Sequence, residues 1–86
     1  MLAVNIQVKA IGVFKEMFGS RLLTVKLKGN ATVKNVVQKL AGSKINDVWL
    51  NALILVNGKE ISVLNGLETI ISDGDEMVLL PVSHGG

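Results

Sequence analysis

The sequence predicts an α+β roll, a mixed sheet of four to five strands with one main helix packed on one face. Three features point to it: alternating apolar and polar residues near the N-terminus, one helical stripe in the middle, and two short apolar runs bounded by turn dipeptides in the second half. Eighty-six residues make one small domain and exclude a multi-domain enzyme. With 49% hydrophobic and 19% charged residues, the chain can bury a core and departs from the composition of disordered segments.

In Leu2–Lys9 the residues Leu2, Val4, Ile6 and Val8 point one way and Ala3, Asn5, Gln7 and Lys9 the other, a half-buried first strand. Phe14, Met17 and Phe18 recur at i, i+3, i+4 before Gly19-Ser20, which gives one or two helical turns inside a connection. Leu22–Lys28 is a second strand with Leu23, Val25 and Leu27 inward, forming a long-looped hairpin with the first. Thr32 precedes the stripe Val33, Val36, Val37 and Leu40, and Gly42 follows; this is the main helix. Its β-branched residues have low intrinsic helix propensity, so packing must hold it.

A loop through Ser43–Asn51 is expected next. The run Leu53–Val56 then meets Asn57-Gly58, the dipeptide that tolerates positive φ and closes tight hairpins. Glu60–Val63 reads as a short fourth strand, Asn65-Gly66 as a turn, Leu67–Ser72 as irregular and Asp73-Gly74-Asp75 as another turn. The last strand, Glu76–Val82, is ended by Pro81. The domain is thus placed at residues 1–82 and a C-terminal tail at 83–86.

Leu53–Val56 and Met77–Leu80 are apolar on both faces, more than a helix on one side can cover. With Glu76 and Asn57 as outward markers, period two puts Leu53, Leu55, Val78 and Leu80 on the uncovered face. Two readings stand: a partner-binding patch, or a face covered by a loop or a second copy of the chain.

The absence of cysteine excludes disulfides, thiol nucleophiles and cysteine-ligated metals, and a single histidine, His84, cannot build a histidine-rich metal site. Phosphate-loop, nucleophile-elbow and dinucleotide fingerprints are missing. Nine basic and seven acidic residues leave a net charge of +2, with the lysines dispersed and few aromatics among them, so direct nucleic-acid binding is not expected. No run approaches the roughly 18 apolar residues of a membrane span, and the apolar N-terminus lacks the marks of a signal peptide, so a soluble, cytoplasmic protein is expected. The acidic cluster Asp73, Asp75, Glu76 reads either as a hard-cation site or as a solvated turn, the latter fitting the glycine between its aspartates.

What remains is Gly85-Gly86. Two residues without side chains can thread a narrow slot and leave the terminal carboxyl carbon unhindered, so the carboxylate can be a substrate for an activating enzyme; the competing reading is a frayed end. A carboxylate is a poor electrophile, and attack on the α-phosphate of ATP would convert it to a reactive acyl-adenylate.

The order of elements, with Asp73-Gly74-Asp75-Glu76, apolar Met77–Leu80, Pro81, Val82-Ser83 and Gly85-Gly86 in register with the chain end, resembles the MoaD/ThiS sulfur carriers and the small archaeal modifier proteins. That resemblance implies a β-grasp (ubiquitin-like) roll with no catalytic site or cofactor of its own, ATP being used by the activating enzyme. It implies that an E1-like adenylating enzyme activates Gly86, with Gly85 beside it, and that a sulfur donor protein converts the carboxylate to a thiocarboxylate. The implied acceptors are a pterin precursor held by a molybdopterin synthase large subunit, or a tRNA thiolase; the alternative is conjugation through Gly86 to target lysines. The implied partner surface is the apolar face, with Leu53, Leu55, Val78, Leu80, Pro81 and His84 as its residues. Pro81-Val82-Ser83-His84-Gly85-Gly86 departs from the usual Pro-Pro-Val-[Ser/Thr]-Gly-Gly ending and resembles the ubiquitin-related modifier branch.

Overall fold

A computed structural model describes residues 2–82. Five strands, β1 Ala3–Ala10, β2 Leu22–Lys28, β3 Ala52–Val56, β4 Lys59–Glu60 and β5 Glu76–Pro81, form one sheet in the order β2-β1-β5-β3-β4. β5 lies at the centre, parallel to β1 and antiparallel to β3, while β1–β2 and β3–β4 are antiparallel pairs. The expected α+β roll is therefore present, closed by the parallel pairing of the first and last strands.

Helix α2, Val33–Ala41, starts at a capping box: the Asn35 backbone N–H donates to the Thr32 hydroxyl and the Thr32 N–H donates to the Asn35 side-chain oxygen. It buries Val33, Val36 and Val37 against the inner face of the sheet, where Val4, Ile6, Val8, Val25, Ile54, Met77 and Leu79 meet it. Alternation along β1 is complete, with Val4, Ile6, Val8 and Ala10 buried and the residues between them exposed. Leu2, expected inward, is 85% exposed because the ladder with β2 begins at Ala3. The turns between Ala10 and Gly19 form helix α1, Val13–Phe18, whose Phe14 is buried in the core.

Two expectations are corrected. The segment expected as a loop through Ser43–Asn51 is helical: a 3₁₀ turn at Gly42–Lys44 leads into helix α3, Ile45–Asn51. Val48 is fully buried and Ile45 and Trp49 pack against the core, so tertiary burial overrides the two asparagines of a segment weak in intrinsic propensity. The fourth strand does not run through Val63. It stops at Glu60, whose carboxylate accepts both the N–H and the hydroxyl of Ser62 and so caps a 3₁₀ turn at Ile61–Val63. The segment after Asn65 is also more ordered than expected, with a 3₁₀ turn at Gly66–Glu68 and a bridge from Ile70 to Thr32.

The Asn57-Gly58 turn has φ of 50° and 84°, the positive values that a two-residue hairpin needs. Among the described residues no helix is long and apolar enough to cross a membrane.

Candidate functional site

β5 carries two different surfaces on alternate residues. Met77 and Leu79 are fully buried under the helices, while Val78 and Leu80 lie on the other face, half-buried. On β3, Leu53 pairs with Leu80 and Leu55 with Val78, placing the four residues singled out from the sequence together on the uncovered face. Leu53 is 39% exposed there.

The registers extend this patch. Leu55, Val78, Lys9 and Leu22 form one row across four strands, since Val78 pairs with Lys9 and Lys9 with Leu22. Leu22 is 56% exposed, and with Ile11, Lys9 and Arg21 it lines a cleft of about 300 Å³ at the β2 side of the patch. On the β3 side, Leu53 lines a second cleft with Trp49, Ile61 and Leu67. Sequence reading missed Ile11, Arg21 and Leu22; continuing the period of two from Thr24 and Lys9 would have found Leu22 and Ile11.

The next row toward the far end of the sheet, Thr24, Gln7, Glu76 and Asn57, is polar throughout. Gln7 donates to the Thr24 hydroxyl, and Lys9 reaches Glu76 at 3.5 Å across the strand boundary, an exposed pair of small energetic weight. Charge is also divided along the chain: eight of the nine basic residues lie at or before Lys44 and six of the seven acidic ones at or after Asp47. In the sheet, this division runs between β1 and β5.

The last described residues, Pro81 and Val82, lie at the apolar end of β5. The Val82 N–H donates to the Asn51 carbonyl at 2.8 Å, and the Ile11 N–H donates to the Leu79 carbonyl at 3.0 Å. Pro81 is exposed, and with Val82 it walls a cleft of about 390 Å³ whose other sides are Val13, Phe14, Met17, Asp47 and Asn51. Among the sequence candidates, Leu53, Leu55, Val78 and Leu80 are thus gathered on the outer face, whereas Pro81, expected with them, is in phase with Met77 and Leu79 and lies on the α1 side at the same end of the sheet, because side chains alternate along β5. His84, Gly85 and Gly86 lie outside the described residues.

The acidic cluster is a turn. Asp73 accepts the Asn5 N–H, Asp75 accepts the Ser72 N–H and the Asn57 amide, and Gly74 sits at φ 86°. These hydrogen bonds occupy the carboxylates in pinning the turn to β1 and to the β3–β4 hairpin, and among the described residues no acidic or histidine group is arranged to hold a metal.

Residues 8–86 match the model of the ThiS family. The chain is 29% identical to small archaeal modifier protein 3 of Haloferax volcanii over 95% of its own length and 99% of that protein's. It is similar in structure to small archaeal modifier protein 1 of Methanosarcina acetivorans (24% identity, TM-score 0.79, all of both chains) and to a chain of the Amycolatopsis orientalis BexX/CysO complex (25% identity, TM-score 0.70, 94% of this chain and 99% of that one). With a β-grasp fold, an apolar sheet face beside the root of a Gly-Gly tail and a family match running to residue 86, the chain belongs to the ThiS family of ubiquitin-like small carriers and modifiers.

Proposed function

We propose that this protein is a sulfur carrier whose Gly86 carboxylate is adenylated by an E1-like enzyme and then converted to a thiocarboxylate. The observation that carries this reading is the position of the tail root at the apolar end of the central strand, in a chain whose family match runs to residue 86. A partner seated on Leu53, Leu55, Val78 and Leu80 would have the tail leaving at the edge of its own contact surface, and four residues beyond Val82 to draw into its active site.

In the proposed cycle a Gly86 carboxylate oxygen attacks the α-phosphate of ATP, and pyrophosphate leaves. A hydrosulfide equivalent from the sulfur donor protein then attacks the acyl carbon, and AMP leaves. The folded body supplies no group to either bond change; it binds and presents the end of the chain. The absence of cysteine fits, because the sulfur is held on the terminal carbonyl and needs no side-chain thiol. The acceptor would be a pterin precursor on a molybdopterin synthase large subunit or a tRNA thiolase.

Conjugation through Gly86 to target lysines is the second reading, favoured by the likeness over nearly the whole length to a protein named as an archaeal modifier. One experiment separates the two. Incubated with the E1-like enzyme of the same genome, ATP and a sulfur source, the intact protein should gain the mass of one oxygen-to-sulfur exchange, and a variant lacking Gly85-Gly86 should not. An unchanged mass in the wild type together with Gly-Gly remnants on lysines of other proteins would replace the carrier reading with the modifier one.

A further inference from the structure

We propose that Gly12 is a positioning residue for the reactive terminus: it lets the loop before α1 close onto Pro81 and fixes the direction in which the tail leaves the body. The inference rests on the carrier reading for its purpose, and on the contact between Gly12 and Pro81 for its mechanism.

Gly12 has φ 62° and ψ −127°, the mirror image of the extended conformation, which residues with a side chain avoid. Its backbone is also in close contact with the tail root. A Cβ built there would lie 3.0 Å from Pro81 Cγ and 3.6 Å from Pro81 Cδ, so a side chain would be strained by the positive φ and would also push the Pro81 ring aside by a few tenths of an ångström. Other glycines with positive φ, at 19, 42, 58, 66 and 74, meet nothing at that distance. Gly12 thus combines a glycine conformation with a close approach to another element, and that element is the last residue of β5.

The surrounding bonds make this contact the third side of a clamp. By the alternation along β5, Leu80 and Val82 face β3, and Val82 donates to the Asn51 carbonyl. Leu79 faces β1, accepting from Ile11. Pro81 also faces that side, but β1 ends at Ala10 and a proline has no N–H to donate. The Pro81 ring, with its own φ fixed, fills this place against Gly12 instead of a ladder bond.

Gly86 lies four residues beyond Val82, a span of at most about 14 Å when extended. Over so short a lever the direction of the root sets where the carboxyl carbon can reach relative to the docking face on the same strand. Misplacement of a reacting atom by about 1 Å can cost as much as a hundredfold in rate. A loosened root would leave docking intact and slow the chemistry at Gly86.

The test uses full-length Gly12→Ala and Pro81→Ala. Pro81 is exposed, so Pro81→Ala removes the ring contact without opening the core and remains informative where Gly12→Ala fails to fold. In the free proteins, hydrogen exchange at the Val82 amide should accelerate about tenfold in both variants, while amides paired between β1 and β2 keep wild-type rates. In ATP–pyrophosphate exchange with the E1-like enzyme, kcat should fall about tenfold with KM for the carrier within about twofold. Wild-type protection at Val82 in both variants overturns the clamp, as does a rise in KM with kcat unchanged. Failure of the wild type to be adenylated at all would instead strike the carrier reading, and the exchange rates at Val82 would still decide whether the clamp exists.

Discussion

On the outer face of the sheet, Thr24, Lys26 and Lys28 of β2 and Asn5, Gln7 and Lys9 of β1 turn polar side chains to water, while Val78 and Leu80 of β5 and Leu53 and Leu55 of β3 turn apolar ones. The two halves share one sheet, an inner face covered by helices and the same opportunity to be wet. Apart from Leu22 at its end, the β2–β1 half is what a strand pair needs when its fold is all that must be specified: an apolar inner face and a soluble outer one. Apolar residues on the other half give the fold less than full burial would, because Leu55, Val78 and Leu80 are half-buried and Leu53 is exposed, so each stays partly in contact with water. The division therefore separates residues that hold the fold from residues available to a second protein, and it runs between adjacent residues of a single strand.

The sharpest way to break that separation is on β5. Leu79 is fully buried under the helices, and Leu79→Ala should lower the unfolding free energy by about 2–5 kcal/mol, through lost transfer energy and the cavity left behind. Leu80→Ala, one residue on and only half-buried, should cost roughly half as much in the same urea titration. Equal losses at the two positions would mean that the outer face is as much a part of the core as the inner one.

A smaller effect, read on binding, compares the two halves directly. Leu80→Asp or Leu53→Asp should weaken association with the E1-like enzyme at least about tenfold, roughly 1.4 kcal/mol, by placing a charge in a desolvated contact while leaving the fold intact. Lys26→Gln on the polar half should change the same affinity by no more than about twofold at physiological salt. Unfolding of Leu80→Asp would reverse the assignment of faces, and an equal loss at Lys26 would dissolve the difference between the halves.

The distinction between the halves was legible in the sequence because it depends only on strand periodicity: Glu76 and Asn57 mark the outward phase, and Leu53, Leu55, Val78 and Leu80 follow from it. The main helix was legible for the same kind of reason, its stripe and Gly42 falling at helical spacing. Helix α3 was not, although Ile45, Val48 and Trp49 have the same spacing; a Gly-Ser break and two asparagines made a loop the locally favoured reading, and only burial of Val48 decides otherwise. The fourth strand was overextended because a single side chain, Glu60, diverts the backbone by hydrogen bonding two residues ahead. Gly12 carried no readable signal at all, since the residue it must accommodate, Pro81, is brought to it by the parallel pairing of β1 and β5.

Glu60 gives the smallest and most local test, at the edge of the apolar half. Its carboxylate accepts first from the Ser62 hydroxyl and then from the Ser62 N–H, which together hold its pKa below the usual glutamate range, with slight burial acting the other way. A folded-state pKa lower than the unfolded one stabilises the protein above the ordinary carboxylate pKa, and that contribution is lost as the pH falls through the lower folded value. Glu60→Gln should therefore shift the urea midpoint most above the ordinary carboxylate range, and the difference from wild type should shrink on acidification. The consequence reaches the docking face because the turn that Glu60 caps carries Ile61, which lines the cleft beside Leu53 together with Trp49 and Leu67. If wild type and Glu60→Gln differ by the same amount across the acid range, the ionised carboxylate does not hold that turn, and the β3 side of the apolar half is shaped by packing alone.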